Sequence, residues 1–406
     1  MSQARSAIVI GAGVVGVTTA YALARRGVRV TIVDRAEGPA RGASFANGAQ
    51  LSYVYTDALA SPAMLRKLPM LLLGQDPAFR IRRLFDPGFI DWGLRFLRNC
   101  NDARFNEATI AGLALGLESR KALDGLLARH PIEFGHGAPG KMHLHHRESE
   151  FRRACDVMRL KRSHGAEQEA ITWREAVAIE PALASAPEAA GVIHTPAEAV
   201  GDPFRFTVGL LEVLQRRYGV RTKFGFAVKR LQVGQGRGQV LGASGELLEA
   251  DRLAVCAGVD APRLLRQMGL PAPVWPMKGY SLTAPLGVDA PRLSITDASR
   301  KIVFCRLSGQ ARIAGLAELG AWNTRPARDR LLALTALAQA ALPGAADYET
   351  ATHGWSGLRP MSPSSLPIIA RPRPELVINV GHGMLGWTYA MGAAERAAAL
   401  LHQSRQ

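Results

Sequence analysis

The sequence predicts a mixed α/β chain, α+β overall. A nucleotide-binding domain with parallel strands is joined to a second domain built on a mostly antiparallel sheet. Three observations predict it. A strand, glycine turn, helix and strand open the chain between Ala7 and Asp34. A strand running into a glycine turn recurs at "RLAVCAGVDAPRLL", and a further glycine-rich turn precedes the last helix at "NVGHGMLGWTYAMGAA". Residues 274–317 alternate with period two, as antiparallel strands do. Nucleotide-type elements thus stand at both ends and in the middle, so the domains should be discontinuous. The expected division is 1–60, 150–265 and 347–406 for the nucleotide-binding domain, and 61–149 and 266–346 for the substrate domain.

The opening motif is the most specific. "AIVIGAGVVGVTTAYALARRGVRVTIVDRA" reads as a buried strand at Ala7–Ile10, a turn at Gly11, Gly13 and Gly16, a helix through Tyr21, Leu23 and Ala24, and a strand at Val28–Val33. Gly27 suits the left-handed residue that ends the helix. In a Rossmann-like unit of this kind Gly11 makes the sharp turn, Gly13 lets backbone approach a pyrophosphate, and Gly16 brings helix and strand together. Val14 and Val15 begin the helix whose N–H groups would meet the phosphates. Asp34 would accept from a ribose hydroxyl. Arg35 beside it suggests a 2′-phosphate, which the Asp34 carboxylate would repel, so NADP is not expected. These physics leave FAD and NAD open.

The same stretch could be mistaken for a membrane span or signal segment, since Ala7–Ala24 carries no charge and precedes Arg25-Arg26. The glycine spacing argues for a folded, retained segment. A cytoplasmic chain, or one bound peripherally to the inner face of the cytoplasmic membrane, is the expectation.

Further along, residues 60–130 read as amphipathic helices broken by Pro69, Pro77 and Pro87, and 150–180 as further helix. Asp202-Pro203 opens a helix to Val220. A single strand "TKFGFAVKRLQV" should follow, carrying Val228, and the strand before Ala257 and Gly258 returns the chain to the cofactor. Residues 327–342 form an Ala/Leu-rich helix.

Composition removes several classes. Four scattered cysteines without CxxC spacing exclude a disulfide framework and a zinc cluster, and no metal is expected. The net charge of +16 comes from dispersed basic residues without basic–aromatic stripes. Nucleic acid is therefore not expected as a partner.

"GASFANGAQLS" resembles the second cofactor-contacting segment of FAD-dependent amine oxidoreductases, with Ser44 and Asn47 at the contact positions. Together with "VIGAGVVGVTTAYALARRG", "FLRNC", "VWPMKGYSLTAP", "WSGLRPMSPSSLPIIA" and "GHGMLGWTYAMG", it makes the chain resemble the FAD-dependent D-amino acid oxidase superfamily over nearly its whole length, and most closely its bacterial D-amino acid dehydrogenases. The resemblance implies FAD and adds Gly48, Gln50, Gly357, Gly381, His382, Gly383, Met384, Leu385 and Gly386 to the cofactor contacts. With no cysteine after Cys305 and His382 the one candidate for attachment there, the FAD is expected to be held without a covalent bond. Where the family commonly has Asn-Ala-Gly-Gln, this chain has Asn47-Gly48-Ala49-Gln50, and its loop "YVYTDALASPAM" also departs. Both departures fall where a substrate loop is expected.

Oxidation of a Cα–N bond by hydride transfer to flavin N5 needs a neutral amine, a fixed carboxylate and charge stabilisation at the flavin, but no protein base. Arginine holds a carboxylate best, and the resemblance places Arg359 of "GLRP" there. Tyr53, Tyr55 and Tyr280 are the candidate second contacts. Lys278 reads as a solvated lysine and His382 as a backbone fixture. The expected partners are an amino acid and a quinone or other electron acceptor. A cyclic or N-substituted substrate (D-proline, hydroxyproline, sarcosine) and a flavin subunit requiring a partner subunit stay open. From Met64 to Arg104, eight basic residues face four acidic ones, a net +4 on amphipathic helices. That face either lies on an anionic membrane or packs inward with a solvated basic side.

Overall fold

The computed structural model describes residues 6–351 and 353–402; the remaining positions, including the outer ends of the first and last expected segments, lie outside the described residues. Its first layer is a six-stranded sheet in the order Ile368–Arg373, Leu376–Val380, Arg252–Val255, Ser6–Ile10, Arg29–Val33, Arg221–Lys223. The inner strands are parallel, with Ala7 opposite Val30 and Arg252. The buried run Ala7–Ile10 suits a strand covered on both faces. Helix α1 (Val14–Ala24) follows the glycine turn and packs against the C-terminal helix Gly386–His402. Ala7–Ala24 is therefore strand and helix, and no helix among the described residues is long and apolar enough to cross a membrane.

The second layer is a nine-stranded sheet. It runs His353–Met361, Trp275–Pro285, Gln310–Leu319, Ile302–Leu307, Ser294–Asp297, Lys141–His145, Gly191–Thr195 and Glu169–Ile171, and Phe79–Ile81 adds to Gln310–Leu319. The pairings are antiparallel except at two places, where Lys141–His145 and Phe79–Ile81 join in parallel. Helix Arg328–Ala341 covers this sheet, burying Leu334 and Ala338 against it.

Four sequence expectations change here. Residues 169–195 and 353–361, placed with the nucleotide-binding domain, contribute strands to the second sheet instead. A purely local reading cannot see this, because both segments reach their partners only through long-range pairing. The 150–180 stretch is not all helix: after Glu148–Arg162 it holds the strand Glu169–Ile171. The single strand expected after Val220 is two, Arg221–Lys223 and Val228–Gly234, separated at Gly225, which has φ +68°. Pro69 does not break its helix: α2 (Pro62–Leu72) contains it, whereas Pro87 opens α3 (Pro87–Asn99) behind Asp86, whose carboxylate accepts from the Gly88 N–H. The long helix α4 (Asp102–Leu127) then crosses to the C-terminal helix.

Candidate active site

One cavity of about 470 Å³ gathers most of the predicted residues. Its nucleotide end is made of backbone. Gly11, Gly13, Val14 and Val15 line it, with Ala257 and Gly258 from the neighbouring strand end. The Gly11 N–H donates to the Val33 carbonyl at 2.8 Å. A Cβ on Gly16 would stand 1.8 Å from the Gly11 oxygen, which is why Gly16 packs behind the lining rather than in it. Asp34 lines the cavity while its two oxygens accept the N–H groups of Ala12 (2.7 Å) and Ala36 (2.8 Å), tying the glycine turn to the end of the second strand. Arg35 lines it too, paired with Asp260 at 2.9 Å. Val228 and Arg263 complete this end.

The middle is shaped by the 42–50 segment. Ser44 is buried and its Oγ accepts the Val14 N–H at 3.0 Å, at the start of α1. Asn47 lines the cavity, but its side-chain oxygen accepts the Ala49 N–H at 2.8 Å, so it closes its own turn. The second sheet holds this turn by its carbonyls. Ser281 Oγ donates to the Ala46 oxygen at 2.5 Å, and Arg312 donates to the Asn47 oxygen at 3.1 Å. Gly48 and Gln50 lie behind. A Cβ on Gly48 would meet Val303 at 2.9 Å. Gln50 donates to Ser294 Oγ at 2.6 Å and accepts from Lys141 Nζ at 2.9 Å.

The far end holds Arg359, His382, Gly383, Met384, Gly386 and Trp387. Strand residue Met361 bridges to His382, which joins the arginine strand to the glycine segment. Arg359 lies across its partner strand: a Cβ on Gly279 would stand 2.4 Å from the Arg359 Nη2. The guanidinium has no ion-pair partner among the described residues, and burial alone lowers it to about 10, so it stays charged at neutral pH. Gly381 (φ +76°) and Gly383 (φ +57°) are both left-handed, which fits glycine there. They deliver the N-terminus of the C-terminal helix to the same cavity that α1 opens onto. Two positive helix ends therefore share one space. His382 is buried with its Nε2 unpartnered, and desolvation lowers it to about 3. It is a neutral imidazole and a very weak base. Gly357, Gly381 and Leu385 support this end from outside the lining; Gly357 seats the Trp355 ring.

The three tyrosines proposed for substrate are not in the cavity lining. Tyr53 is buried beneath α4, its backbone 2.2 Å from where a Cβ on Gly116 would stand. Tyr55 stacks on His143 at 3.6 Å between Lys141 and Lys161. Tyr280 is buried in the core of the second sheet. All three phenols are pushed up, chiefly by burial. Lys278 is likewise not solvated. It is buried, donates to Asn323 Oδ1 at 2.9 Å and the Arg325 carbonyl at 2.5 Å, and is lowered by desolvation. It braces the loop carrying Thr324, which lines the cavity.

Sequence reasoning missed the groups that hold the 50–57 loop. Glu198, buried, accepts the N–H groups of Tyr53, Val54 and Tyr55 at 2.7, 2.8 and 3.2 Å. Lys141 Nζ, lowered to about 8 mainly by burial, donates to Ser52 Oγ at 2.7 Å. Lys161 pairs with Asp57 at 2.6 Å. No spacing motif signals these contacts, since they join positions some 90 to 145 residues apart. Asp260 was closer to reach, standing two residues after Gly258.

A glycine turn open to backbone approach, two helix ends and a carboxylate fit an adenine dinucleotide. The unpartnered guanidinium at the other end fits an anionic substrate. Together they define the class, a dinucleotide-dependent oxidoreductase. The chain belongs to the DAO family, FAD dependent oxidoreductases, whose profile matches residues 6–400. It is 38% identical over 405 residues to D-amino acid dehydrogenase 2 of Ralstonia nicotianae, covering 97% of this chain and 95% of that one. It is also 38% identical over 403 residues to D-amino acid dehydrogenase of Paramagnetospirillum magneticum, covering 97% and 94%. Among solved structures, glycine oxidase from Geobacillus kaustophilus shares the fold with a TM-score of 0.77 at 20% identity, covering 100% of this chain and 96% of that one. L-proline dehydrogenase from P. horikoshii does so at 0.75 and 17%, covering 98% and 94%.

Proposed function

We propose that this FAD-dependent oxidoreductase oxidises D-amino acids to imino acids, which hydrolyse to 2-oxo acids, and passes the electrons to a quinone or another carrier. The observation that carries the reading is Arg359, a charged guanidinium that lines the same cavity as the nucleotide turn and has no carboxylate partner among the described residues. An amino acid's carboxylate supplies the missing partner, and a bidentate fork orients Cα as well as binding it. When bound, FAD supplies the two-electron acceptor that takes the hydride of Cα. Gly11, Gly13, Val14, Val15, Ser44 and Asp34 would hold its dinucleotide part. The glycine segment 381–386 would present N–H groups and a helix end to the ring, where negative charge grows on reduction. Among the described lining residues contributed by the 354–361 and 379–387 segments, the ionisable groups are Arg359 and the neutral His382. The substrate amine therefore loses its proton to solvent rather than to a side chain.

The D-amino acid names of the relatives support the substrate class. The runner-up, a cyclic or N-substituted amino acid, drew on the altered loop at 48–60. With Tyr53 and Tyr55 turned into the interior, that loop no longer favours it. The test is anaerobic reduction of the purified flavoprotein by paired D- and L-amino acids, prolines included. Bleaching by D-enantiomers is expected. Arg359→Ala should keep FAD and raise KM about 100-fold or more. Bleaching only by prolines or sarcosine, or near-normal KM in Arg359→Ala, overturns the reading.

A further inference from the structure

We infer that Arg312 and Ser281, on neighbouring strands of the second sheet, are positioning residues that set the reduction potential of the flavin through the 46–48 backbone. The hydrogen bonds of this turn divide by direction. Ser281 Oγ donates to the Ala46 carbonyl at 2.5 Å, Arg312 Nη1 to the Asn47 carbonyl at 3.1 Å, and the Gly201 N–H to the Ala49 carbonyl at 2.9 Å. The Ala49 N–H goes to the Asn47 side chain. The N–H groups of Asn47 and Gly48 have no hydrogen-bond partner among the described residues. A trans peptide sets its C=O and N–H on opposite sides of the chain. With the Ala46 and Asn47 oxygens drawn to the second sheet, the N–H groups of Asn47 and Gly48 face away from it, on the side where Asn47 lines the cavity. Backbone donors taken out of water are seldom left unpaired, and a ring bound in this cavity supplies acceptors for them.

Arg312 is fixed and charged where it stands. The side chain is buried, and its Nε donates to Thr283 Oγ1 at 2.9 Å, on the residue paired with it across the two strands. Its carboxylate neighbour, Asp202, is 3.9 Å away through one oxygen, while the other oxygen caps a helix by accepting the N–H groups of Phe204 and Arg205. Burial lowers the guanidinium and Asp202 opposes that, and arginine keeps its proton in proteins. A buried positive charge on the Asn47 carbonyl polarises the Asn47–Gly48 peptide and makes the Gly48 N–H a stronger donor. Donor and charge together favour the negative charge that grows on the ring during reduction. The two arginines therefore divide the work. Arg359 meets the substrate carboxylate and acts on KM, whereas Arg312 acts through backbone on the cofactor. The inference rests on FAD and not on which amino acid is oxidised.

The reduction potential of the purified flavoprotein is measured by equilibration with a reference dye and a chemical reductant, without amino acid, beside the FAD affinity of the apoprotein. Arg312→Met should lower the potential by about 30 mV or more, a tenfold shift in the two-electron equilibrium, and move the flavin absorption bands. Arg312→Lys keeps the charge and should recover at least half of that shift. Ser281→Ala frees one carbonyl and should lower the potential by less. Arg306→Met removes an exposed arginine from the adjoining strand and should leave the potential as in the parent. A merely structural role predicts weaker FAD binding with no change of potential in the molecules that stay loaded. That result in Arg312→Met overturns the proposal, as does an equal shift in Arg306→Met. Should Arg312→Met fail to hold flavin, Ser281→Ala decides, and an unchanged potential there overturns it. Because no amino acid enters the measurement, it stands or falls separately from the D-amino acid reading.

Discussion

The two ends of the cavity are built from different materials. The nucleotide end is backbone. Its shape comes from glycines, the N-terminus of α1 and one carboxylate that accepts two N–H groups. The substrate end is side chains. Arg359 reaches across a neighbouring strand and His382 is held neutral by burial, while the 50–57 loop, outside the lining, is gripped by Glu198, Lys141 and Lys161. A backbone site is written in consecutive residues and survives only if the Cβ atoms stay out. A side-chain site is assembled from distant segments and tolerates small changes that preserve its charges. Substitutions at the two ends should therefore fail in different ways.

The largest effects belong to the glycines. Gly16→Ala would set a Cβ 1.8 Å from the Gly11 oxygen, with backbone on both sides of the clash. A large loss of folded protein and of flavin is expected, seen as colourless, low-melting material. Gly13→Ala separates packing from binding. Its Cβ would find only Ser44 Oγ, at 3.5 Å, so the apoprotein should melt normally. FAD affinity should still fall about 100-fold, because the methyl occupies the path of the pyrophosphate. Unchanged FAD affinity in Gly13→Ala would remove the distinction between the two ends.

Next comes the grip on the loop. Glu198→Ala strands three buried N–H donors and should cost about 3 kcal/mol in urea unfolding. Burial raises the Glu198 carboxyl, so its charge carries a desolvation cost that the three donors and nearby Lys141 do not cancel. Glu198→Gln keeps an accepting oxygen for the Val54 and Tyr55 N–H groups, turns an amide NH2 toward the Tyr53 N–H, and drops that charge. It should cost about half as much. Equal losses in the two variants would mean that charge, not donor satisfaction, holds the loop.

At the substrate end the effect moves from stability to KM. Gly279→Ala would put a Cβ 2.4 Å from Arg359 Nη2, and a guanidinium can swing away where backbone cannot. FAD content and melting should be close to normal, while KM rises about tenfold or more. The pH profile sharpens the same point. Arg359, lowered to about 10, is charged below that value and loses its grip on a carboxylate as pH rises through it. KM corrected for the fraction of substrate with a neutral amine should be flat from pH 7 to 9 and climb above about pH 10. His382, lowered to about 3, is neutral across this range. A rate break near pH 6.5 that disappears in His382→Gln would restore it as a base.

This division also governs what could be read from the residues alone. The glycine turn, the Asp202 cap and the 257–258 turn are local patterns, each dictated by neighbours in sequence, and each matches the backbone seen. Asp34 ends the second strand as read, with its two oxygens accepting backbone N–H groups. Arg359 was reached only through resemblance, and its neighbours were missed. Tyr53, Tyr55 and Tyr280 carry the right chemistry, yet their direction depends on which sheet or helix covers the loop. Lys278 alternates like a solvated strand residue, but Asn323 and Arg325 return from far along the chain to bury it. Sheet membership was hidden for the same reason: the strands at 169–171 and 191–195 are placed by partners, not by their own composition.

The smallest effect tests where the two materials meet. Family members commonly have Asn-Ala-Gly-Gln where this chain has Asn47-Gly48-Ala49-Gln50, a change that first suggested an altered substrate. The packing offers another reason. Position 48 faces the second sheet, where Val303 Cγ2 would lie 2.9 Å and Ala314 Cβ 3.4 Å from an added Cβ. Ala49 takes the left-handed conformation, φ +59°, fully buried beside Val200 and Cys305. That conformation costs an alanine about 1 kcal/mol, roughly what its buried methyl returns. Ala49→Gly should therefore leave stability within about 0.5 kcal/mol of the parent. Gly48→Ala should cost about 1 kcal/mol, and Val303→Ala in the same chain should recover part of that loss by making room. If Gly48→Ala instead leaves stability alone and shifts the preferred amino acid, position 48 belongs to the substrate end after all, and the boundary between backbone site and side-chain site moves two strands outward.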